Sequence, residues 1–455
     1  MRTKTLTASP FLFLLIASSV LISSVQAEVM KINLTSALRL AHEQNTELAI
    51  QLERVKQAEL DQNMAWYQWL PTVRAGYSSS NQDGPLQNTD GSVIDVERKA
   101  SSRGLGLPTT GSGLAPQPGL ALEIDLAEGI FRPLASKQRL QAVRAEEAQA
   151  RLNTTLQVST AYYELIQAYR MLSIAEDAAK NAGNLAKVTD DFAQAGEGLQ
   201  ADAERAAVES LIQMNNVEVA RVGTVSASMH LVQLLRLSNN VVLEPMDSMI
   251  VPIDLFPVEP QLDSLINKAL ANRPDLQRYS ALVEFEEAQL NQSTWGLLFP
   301  KLGASYSDTS YKGRQAGSPA SRSARNESTV ALYWELENLG FTSWAKQKSQ
   351  QSRLREAQAR EEQAQTDIVA DVSLALSEYR AASKQVEFLK QAVDRARKSF
   401  ELSQESIYEG QGLPLEALQS MKALEEVEAL YLRSSAKRNL SQLYLLVATG
   451  DEIEL

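Results

Sequence analysis

Residues that could perform nucleophilic or acid–base chemistry are scarce in this sequence of 455 residues. It contains no cysteine and only two histidines, His42 and His230. Without cysteine there can be no thiol nucleophile, disulfide framework, cysteine zinc site or acylated N-terminal cysteine. Two histidines also leave little scope for His-based metal binding or proton transfer.

Two short motifs resemble parts of hydrolase signatures. His42 and Glu43 begin as a zinc-protease helix does, but the second histidine is missing, which favours a surface histidine on an amphipathic helix. Ser434 and Lys437 have S-x-x-K spacing, but they lie in a heptad-patterned segment without a partner motif. The sequence therefore predicts a protein that is not an enzyme and that has no cofactor and no metal.

The charge balance argues against nucleic acid as a partner. There are 44 basic and 56 acidic residues, so the net charge is -12. A nucleic-acid binder needs a basic surface that replaces the counterions of the phosphates. The mean hydropathy of -0.23 is typical of a soluble protein, although alternating transmembrane β-strands have a similarly modest mean.

The N-terminal segment has the three parts of a secretory signal peptide. Arg2 and Lys4 are followed by an apolar stretch at 11–25 and by a small-x-small site that ends at Ala27. We therefore expect residues 1–27 to be removed on export. An uncleaved membrane anchor is the alternative.

The sequence is predicted to be a tandem duplication. AHEQNTELAIQL and WLPTVRAGYSSS in the first half correspond to ALANRPDLQRYSAL and LFPKLGASYSDTS in the second. GEGLQAD, which begins at Gly196, corresponds to GQGLPLE, which begins at Gly410. The predicted organisation is a signal peptide at 1–27, repeat 1 at 28–240, a linker at 241–260, repeat 2 at 261–450 and a tail at 451–455.

Each repeat is predicted to contain a long helical hairpin. No proline occurs between Pro133 and Pro245, and neither glycine nor proline occurs between Gly340 and Gly410. Apolar residues in these stretches keep 3,4 spacing, which is typical of coiled coils. The predicted helices cover 137–195, 200–237, 342–408 and 414–448, and the glycine pairs between them mark tight turns.

Strands are predicted where apolar and polar residues alternate. This pattern occurs at 120–126 and 330–336, with partners at 73–77 and 302–306, and it predicts β-hairpins at about 71–126 and 300–337. Segments 81–118 and 311–327 are rich in Gly, Ser and Pro, and we interpret them as exposed loops. Alternation of this kind is typical of a transmembrane β-barrel and also of a half-buried strand in a soluble sheet.

The number of strands restricts the membrane interpretation. Four strands cannot close a barrel, and an open edge in hydrocarbon would leave backbone groups unsatisfied. Three copies would supply twelve strands and twelve long helical stretches around one axis. The predicted fold class is thus an α+β membrane protein: a long antiparallel coiled-coil α-helical barrel, with four strands per chain in a trimeric 12-stranded transmembrane β-barrel.

At this point the sequence resembles the TolC-like outer membrane efflux proteins, also called outer membrane factors. The resemblance rests on the two hairpin motifs above, on WLP and LFP before the strands, and on a doubled AL..A...N..L pattern, which in repeat 1 is Ala37-Leu38, Ala41, Asn45 and Leu48. It implies a homotrimer in the outer membrane lipid with a long periplasmic helical part. Such a protein is a porin-like exit duct for a tripartite efflux pump or type I secretion. A periplasmic adaptor, or membrane fusion protein, connects it to an inner-membrane transporter of the RND, ABC or MFS type.

The resemblance also implies roles for the hairpin ends. Glu416, Gln419 and Asp202 fall where the family narrows its periplasmic aperture with an acidic ring, which favours cations. The tip residues Gly196, Gly198, Gly410 and Gly412 would contact the adaptor. A solvated acid in the first turn of a helix, or a glycine that merely permits a turn, explains the same residues. The rival function is a periplasmic coiled-coil structural or adaptor protein.

Overall fold

The structure is a computed structural model. It describes residues 28–73, 75–105, 120–238, 240–247, 249–251, 254–256, 260–315, 317–409 and 412–451. The predicted signal peptide at 1–27 and the tip residue Gly410 lie outside these ranges.

The described residues of the first half form ten α-helices and β-strands. In chain order they are β1 (Glu28–Ile32), α1 (Leu34–Gln44), α2 (Thr46–Trp66), β2 (Thr72–Val73), β3 (Ala75–Gln87), β4 (Val93–Leu105), β5 (Leu120–Asp125), α3 (Leu126–Gln194), α4 (Gln200–Leu235) and β6 (Val241–Pro245).

The second half follows a similar order. Its elements are α5 (Leu262–Asn272), α6 (Pro274–Trp295), β7 (Lys301–Gln315), β8 (Ser321–Tyr333), α7 (Phe341–Tyr408) and α8 (Pro414–Ala448). The predicted helices at 200–237, 342–408 and 414–448 agree closely with α4, α7 and α8.

The larger sheet contains six strands. Two pairs of them lie end to end, so the sheet is four strands wide, and we call each strand or end-to-end pair a line. Leu105 at the end of β4 and Leu120 at the start of β5 both pair with Tyr306, so β4 and β5 form one line beside β7. β2 and β3 form the next line, because β2 pairs with β5 and β3 pairs with β4. β8 pairs with the other side of β7. Within the described residues, β3 and β8 are each paired on one side only, so the sheet has two open edges.

The interpretation of 81–118 and 311–327 as exposed loops is wrong for most of their described residues. β3 continues to Gln87, β4 covers Val93–Leu105, β7 continues to Gln315 and β8 begins at Ser321. A β-ladder is held by backbone hydrogen bonds, and these stretches are polar on both faces. They therefore lack the alternation by which strands are recognised in a sequence.

The first long helix begins earlier than predicted. Leu126 is the first residue of α3, although the alternation placed it in a strand and the predicted helix began at 137. The Asp125 side chain caps the helix by accepting a hydrogen bond from the Glu128 backbone N–H at 3.0 Å. Pro133 lies within α3, where it removes one backbone donor from a helix of 69 residues.

The largest core lies where the two halves meet. β1 and β6 pair in parallel and cover α3 and α4, and the fully buried side chains of Tyr162, Leu165 and Leu231 pack there. The described parts of residues 240–256 continue from β6 across to α8, and we call them the strap. The Tyr162 hydroxyl donates to Asp247 at 2.6 Å, and Asn439 Nδ2 donates to the Val251 carbonyl at 2.8 Å. The strap is thus hydrogen-bonded to α3 and to α8.

Exposed aromatic residues surround the junction between the sheet and the helices. Trp66, Trp69, Trp295, Trp334 and Trp344 are all exposed there. Between β8 and α7 the chain turns through three consecutive residues with positive φ, which end at Gly340.

In the described ranges, no helix is both long enough and apolar enough to span a membrane.

Candidate functional site

Equivalent backbone hydrogen bonds close the ends of the two helical hairpins. At the first tip, the Gly198 N–H donates to the Phe192 carbonyl at 3.1 Å; at the second, the Gly412 N–H donates to the Ser406 carbonyl at 2.8 Å. Each bond spans the same number of residues, so the two copies of the motif share this hydrogen bond at corresponding glycines.

Glycine is required at these tips for different reasons. Gly196 has φ +78, in the left-handed region that glycine adopts without strain. A Cβ on Gly412 would lie 2.8 Å from the Ile407 backbone nitrogen, so a side chain cannot be added without moving the backbone. At Gly198 the closest approach is 3.3 Å, which is tight but less severe.

Two exposed leucines follow the tip glycines, and the sequence reasoning did not single them out. Leu199 and Leu413 precede α4 and α8 with nearly identical backbone angles, and their exposures are 69% and 62%. Both belong to the G-x-G-L part of the motif, and this shared leucine was the signal that could have identified them. Exposed apolar side chains are typical of a contact site where they form one contiguous patch, whereas single ones are common on any surface.

The three predicted aperture residues have different surroundings. Glu416 and Gln419 are exposed in the first turns of α8. Asp202 occupies the equivalent position on α4, but it accepts a hydrogen bond from Arg205 at 3.1 Å. Only Glu416 therefore presents an uncompensated carboxylate. Which of the three residues, if any, lines an aperture stays a prediction.

A largely buried polar link joins the two hairpins above their tips. Lys422 Nζ on α8 lies 2.6 Å from Glu209 Oε2 on α4. Gln213 Nε2 donates to Glu209 Oε1 at 3.1 Å and to Glu425 Oε2 at 3.0 Å. Glu209 and Gln213 are buried, so these polar groups depend on one another for partners.

Glu425 is the member of this link whose pKa is raised. Burial raises its pKa above the usual value of 4.5, and the neighbouring Glu209 adds to the rise, while the hydrogen bond from Gln213 and the charge of Lys422 oppose it. Below the link, Ala182, Phe400, Ile407, Leu418 and Met421 form an apolar cluster between α3, α7 and α8. Near the tips, the described residues of the two hairpins thus meet through this apolar cluster and the polar link.

The enzyme-like motifs are not assembled into a site. His42 lies in the last turn of α1 with Nε2 3.0 Å from the Thr155 hydroxyl, and Ser434 and Lys437 lie within α8. The described residues contain no group of three His, Asp or Glu side chains arranged to hold a metal.

The sheet has one apolar and one polar face near the helices. Leu122, Ala304 and Val330 lie in one cross-strand row and Ile124, Leu302 and Leu332 in the next row of the same face. Val330 is 77% exposed and Leu332 is 55% exposed. The opposite face carries Glu123, Gly303 and Ala331, where Tyr333 donates to Glu123 at 3.0 Å.

This fold is that of outer-membrane channels. The outer-membrane channel OprN matches with a TM-score of 0.72 at 18% identity, over 92% of this chain and 90% of that chain. VceC from Vibrio cholerae matches with 0.69 at 14% identity, over 92% and 97%. The open state of the MtrE channel of Neisseria gonorrhoeae matches with 0.68 at 16% identity, over 94% and 93%.

One part of the chain matches a family model. Residues 265–451 match the family model described as outer membrane efflux protein. The chain therefore carries the outer membrane efflux protein domain, and the family resemblance predicted from its sequence is confirmed. OprN and MtrE are described as outer-membrane channels, and none of the matched proteins named above is described as an enzyme.

Proposed function

We propose that this protein is a passive exit duct in the outer membrane, built from three copies of the chain. The observation that carries the proposal is the sheet with an exposed apolar face and two open edges. Open edges cannot lie in hydrocarbon, because their N–H and C=O groups would lack partners. Pairing of β3 with β8 of the next copy would satisfy both edges and give a closed barrel of twelve strands.

In this assembly the apolar face contacts lipid. Val330 and Leu332 would face outward, Glu123 and its neighbours would face a water-filled lumen, and the tryptophans at the junction would lie at the inner lipid–water interface. The long hairpins would extend into the periplasm as a helical tunnel. The corresponding tip turns support the proposal that the two halves arose by duplication.

The hairpin tips would be the contact point for a periplasmic adaptor. Leu199 and Leu413 offer apolar side chains beside Gly196, Gly198, Gly410 and Gly412, and contact sites usually combine such apolar anchors with a polar rim. Energy would come from an inner-membrane transporter of the RND, ABC or MFS type. The duct would serve either small-molecule efflux or type I secretion, because a water-filled lumen need not recognise its cargo.

The duct would be gated at the tips. Three copies of Glu416 would form a ring that attracts cations, and Asp202 and Gln419 would lie near it. The link from Glu209 to Lys422 would hold the second hairpin against the first when the gate is closed. Opening would move the second hairpin away from the first. It would therefore break that link, because Glu209 and Lys422 belong to different hairpins.

Fractionation of the full chain tests this function. We expect it in the outer membrane, as a trimer that resists SDS without boiling and that conducts ions in planar bilayers. Recovery as a soluble periplasmic monomer would contradict the duct and favour the periplasmic coiled-coil structural or adaptor protein.

A further inference from the structure

A row of three cations crosses the sheet far from the helices. Strand pairing places Lys99 opposite Lys312 and Lys312 opposite Arg322. Residues directly opposite in neighbouring strands point to the same face, and the strands are about 4.8 Å apart. Three positive charges therefore lie within about 10 Å of one another on one face.

The charges in this row are poorly compensated. Among the described residues, the side chains of Lys312 and Arg322 make no hydrogen bond and no ion pair, and both residues are exposed. Lys99 reaches only Glu97, at 3.8 Å, and Glu97 is also bound by Arg314 at 3.0 Å. Like charges directly opposite in a sheet are destabilising, so the row favours an external anion.

We call the apolar rows that contain Leu302 and Ala304 the apolar band. The cationic row lies on the same face of the sheet as this band. β7 and β8 pair without interruption, so Leu302, Ala304 and Lys312 all point to one side of the sheet. Tyr306, on the same face, ends the apolar part. Lys312 lies about 20 Å beyond Tyr306 along the strand. In a strand tilted as in membrane barrels, this distance corresponds to about 15 Å along the barrel axis.

We propose that Lys99, Lys312 and Arg322 bind phosphate groups of a phosphorylated glycolipid in the outer leaflet. This inference rests on the proposed function, which directs this face toward lipid. Ammonium and guanidinium groups are the usual partners of phosphate oxygens, and the fork of Arg322 can bind two of them at once. The glycolipid's acyl chains would lie against the apolar band while its phosphates reach the cationic row.

Two double variants separate this site from a general effect of charge. Lys312→Gln with Arg322→Gln removes two cations of the row. Arg98→Gln with Arg325→Gln removes two cations from the same hairpins on the opposite face. The full-length proteins would be mixed with bisphosphorylated lipid A in maltoside micelles and bound lipid counted by native mass spectrometry.

We expect the first double variant to bind lipid A about tenfold more weakly and the second to bind within about twofold of the wild type. Wild-type binding should weaken as salt is raised and on removal of the lipid's phosphates. Equal losses in both variants, or no loss in the first, would overturn the proposal. If the wild type remains an SDS-resistant outer-membrane trimer in that case, the duct stands without the lipid site; a soluble monomer would overturn both.

Discussion

Lys422 Nζ lies 2.6 Å from Glu209 Oε2, and the two residues belong to different helical hairpins. The Glu209 side chain is 8% exposed and that of Lys422 is 56% exposed. The carboxylate is thus the buried partner, and it depends on the lysine for its counter-charge. A contact of this kind makes the packing of the two hairpins sensitive to a single residue.

Lys422→Gln should loosen the contact between the hairpins. We expect about 1–3 kcal/mol less stability, because a buried carboxylate loses a charged partner, together with a larger single-channel conductance. The matched control is Arg397→Gln, which breaks the 2.7 Å contact with Glu428 inside the second hairpin. That pair is more exposed, so the control should cost less than about 1 kcal/mol and leave conductance unchanged. Equal conductance changes would contradict a role for Lys422 in gating.

Glu416→Gln should weaken the block of single-channel current by divalent cations. Removing three carboxylates from the trimer lowers the negative potential at the proposed aperture. Gln419→Glu should strengthen the block, and Asp202→Asn should have the smaller effect because Arg205 already compensates that charge. Unchanged block in Glu416→Gln would remove this residue from the aperture.

Gly412→Ala should distort the second tip. The new Cβ would lie 2.8 Å from the Ile407 nitrogen, so the backbone must move and its closing hydrogen bond must weaken. We expect a loss of about 1–3 kcal/mol in thermal unfolding, with weaker adaptor binding. Gly223→Ala is the control: it lies within α4 with nothing within 4 Å, and it should stabilise by about 0.5–1 kcal/mol. A neutral Gly412→Ala would show that the tip tolerates a side chain.

Stability should depend on pH through Glu425. Burial raises the pKa of this carboxyl above 4.5, so the folded protein takes up its proton at a higher pH than the unfolded chain. The free energy of unfolding should therefore rise as pH falls through the raised pKa, and this contribution stops changing below about 4.5. Glu425→Gln should remove this part of the pH dependence of thermal unfolding, whereas the adjacent, exposed Glu426→Gln should retain it. The same profile in both variants would contradict this assignment.

The helical hairpins were predictable because their ends are marked by local chemistry. Gly198 and Gly412 recur in one motif, and only glycine fits the close backbone approach at Gly412. At the tips, the predicted starts of α4 and α8 agree with the structure, and they closely follow these glycines. The start of α3 is marked instead by a side-chain cap, Asp125, and there the predicted start at 137 lay too far along the chain.

The long strands were only partly predictable. Alternation identified the rows that contain Leu122 and Val330, because one face there is apolar. Beyond Tyr306 both faces are polar, and the strands are defined by backbone pairing alone. The cationic row is invisible in the linear sequence, since it depends on the register that brings Lys99, Lys312 and Arg322 together.

The link between the hairpins lay beyond sequence reasoning for a similar reason. Glu209 and Lys422 come from different halves of the chain, and each looks like an ordinary charged residue on a helix. Their contact depends on how two coiled coils pack, which heptad spacing does not specify. Glu416 could be proposed from its motif position, but its ion-pairing difference from Asp202 required the three-dimensional structure.

The strap has a mechanical consequence. Its bonds to Tyr162 and Asn439 fix α3 and α8 relative to each other at one level, and α3 continues for about 48 Å from Tyr162 to its end at Gln194. The strap would then act as a pivot, and the parts of α3 and α8 between the strap and the tips would move as rigid segments about it. A tilt of about 10° at that level would carry the end of α3 through about 8 Å, so a small rearrangement beside Tyr162 would be enough to change the width of the proposed opening at the tips.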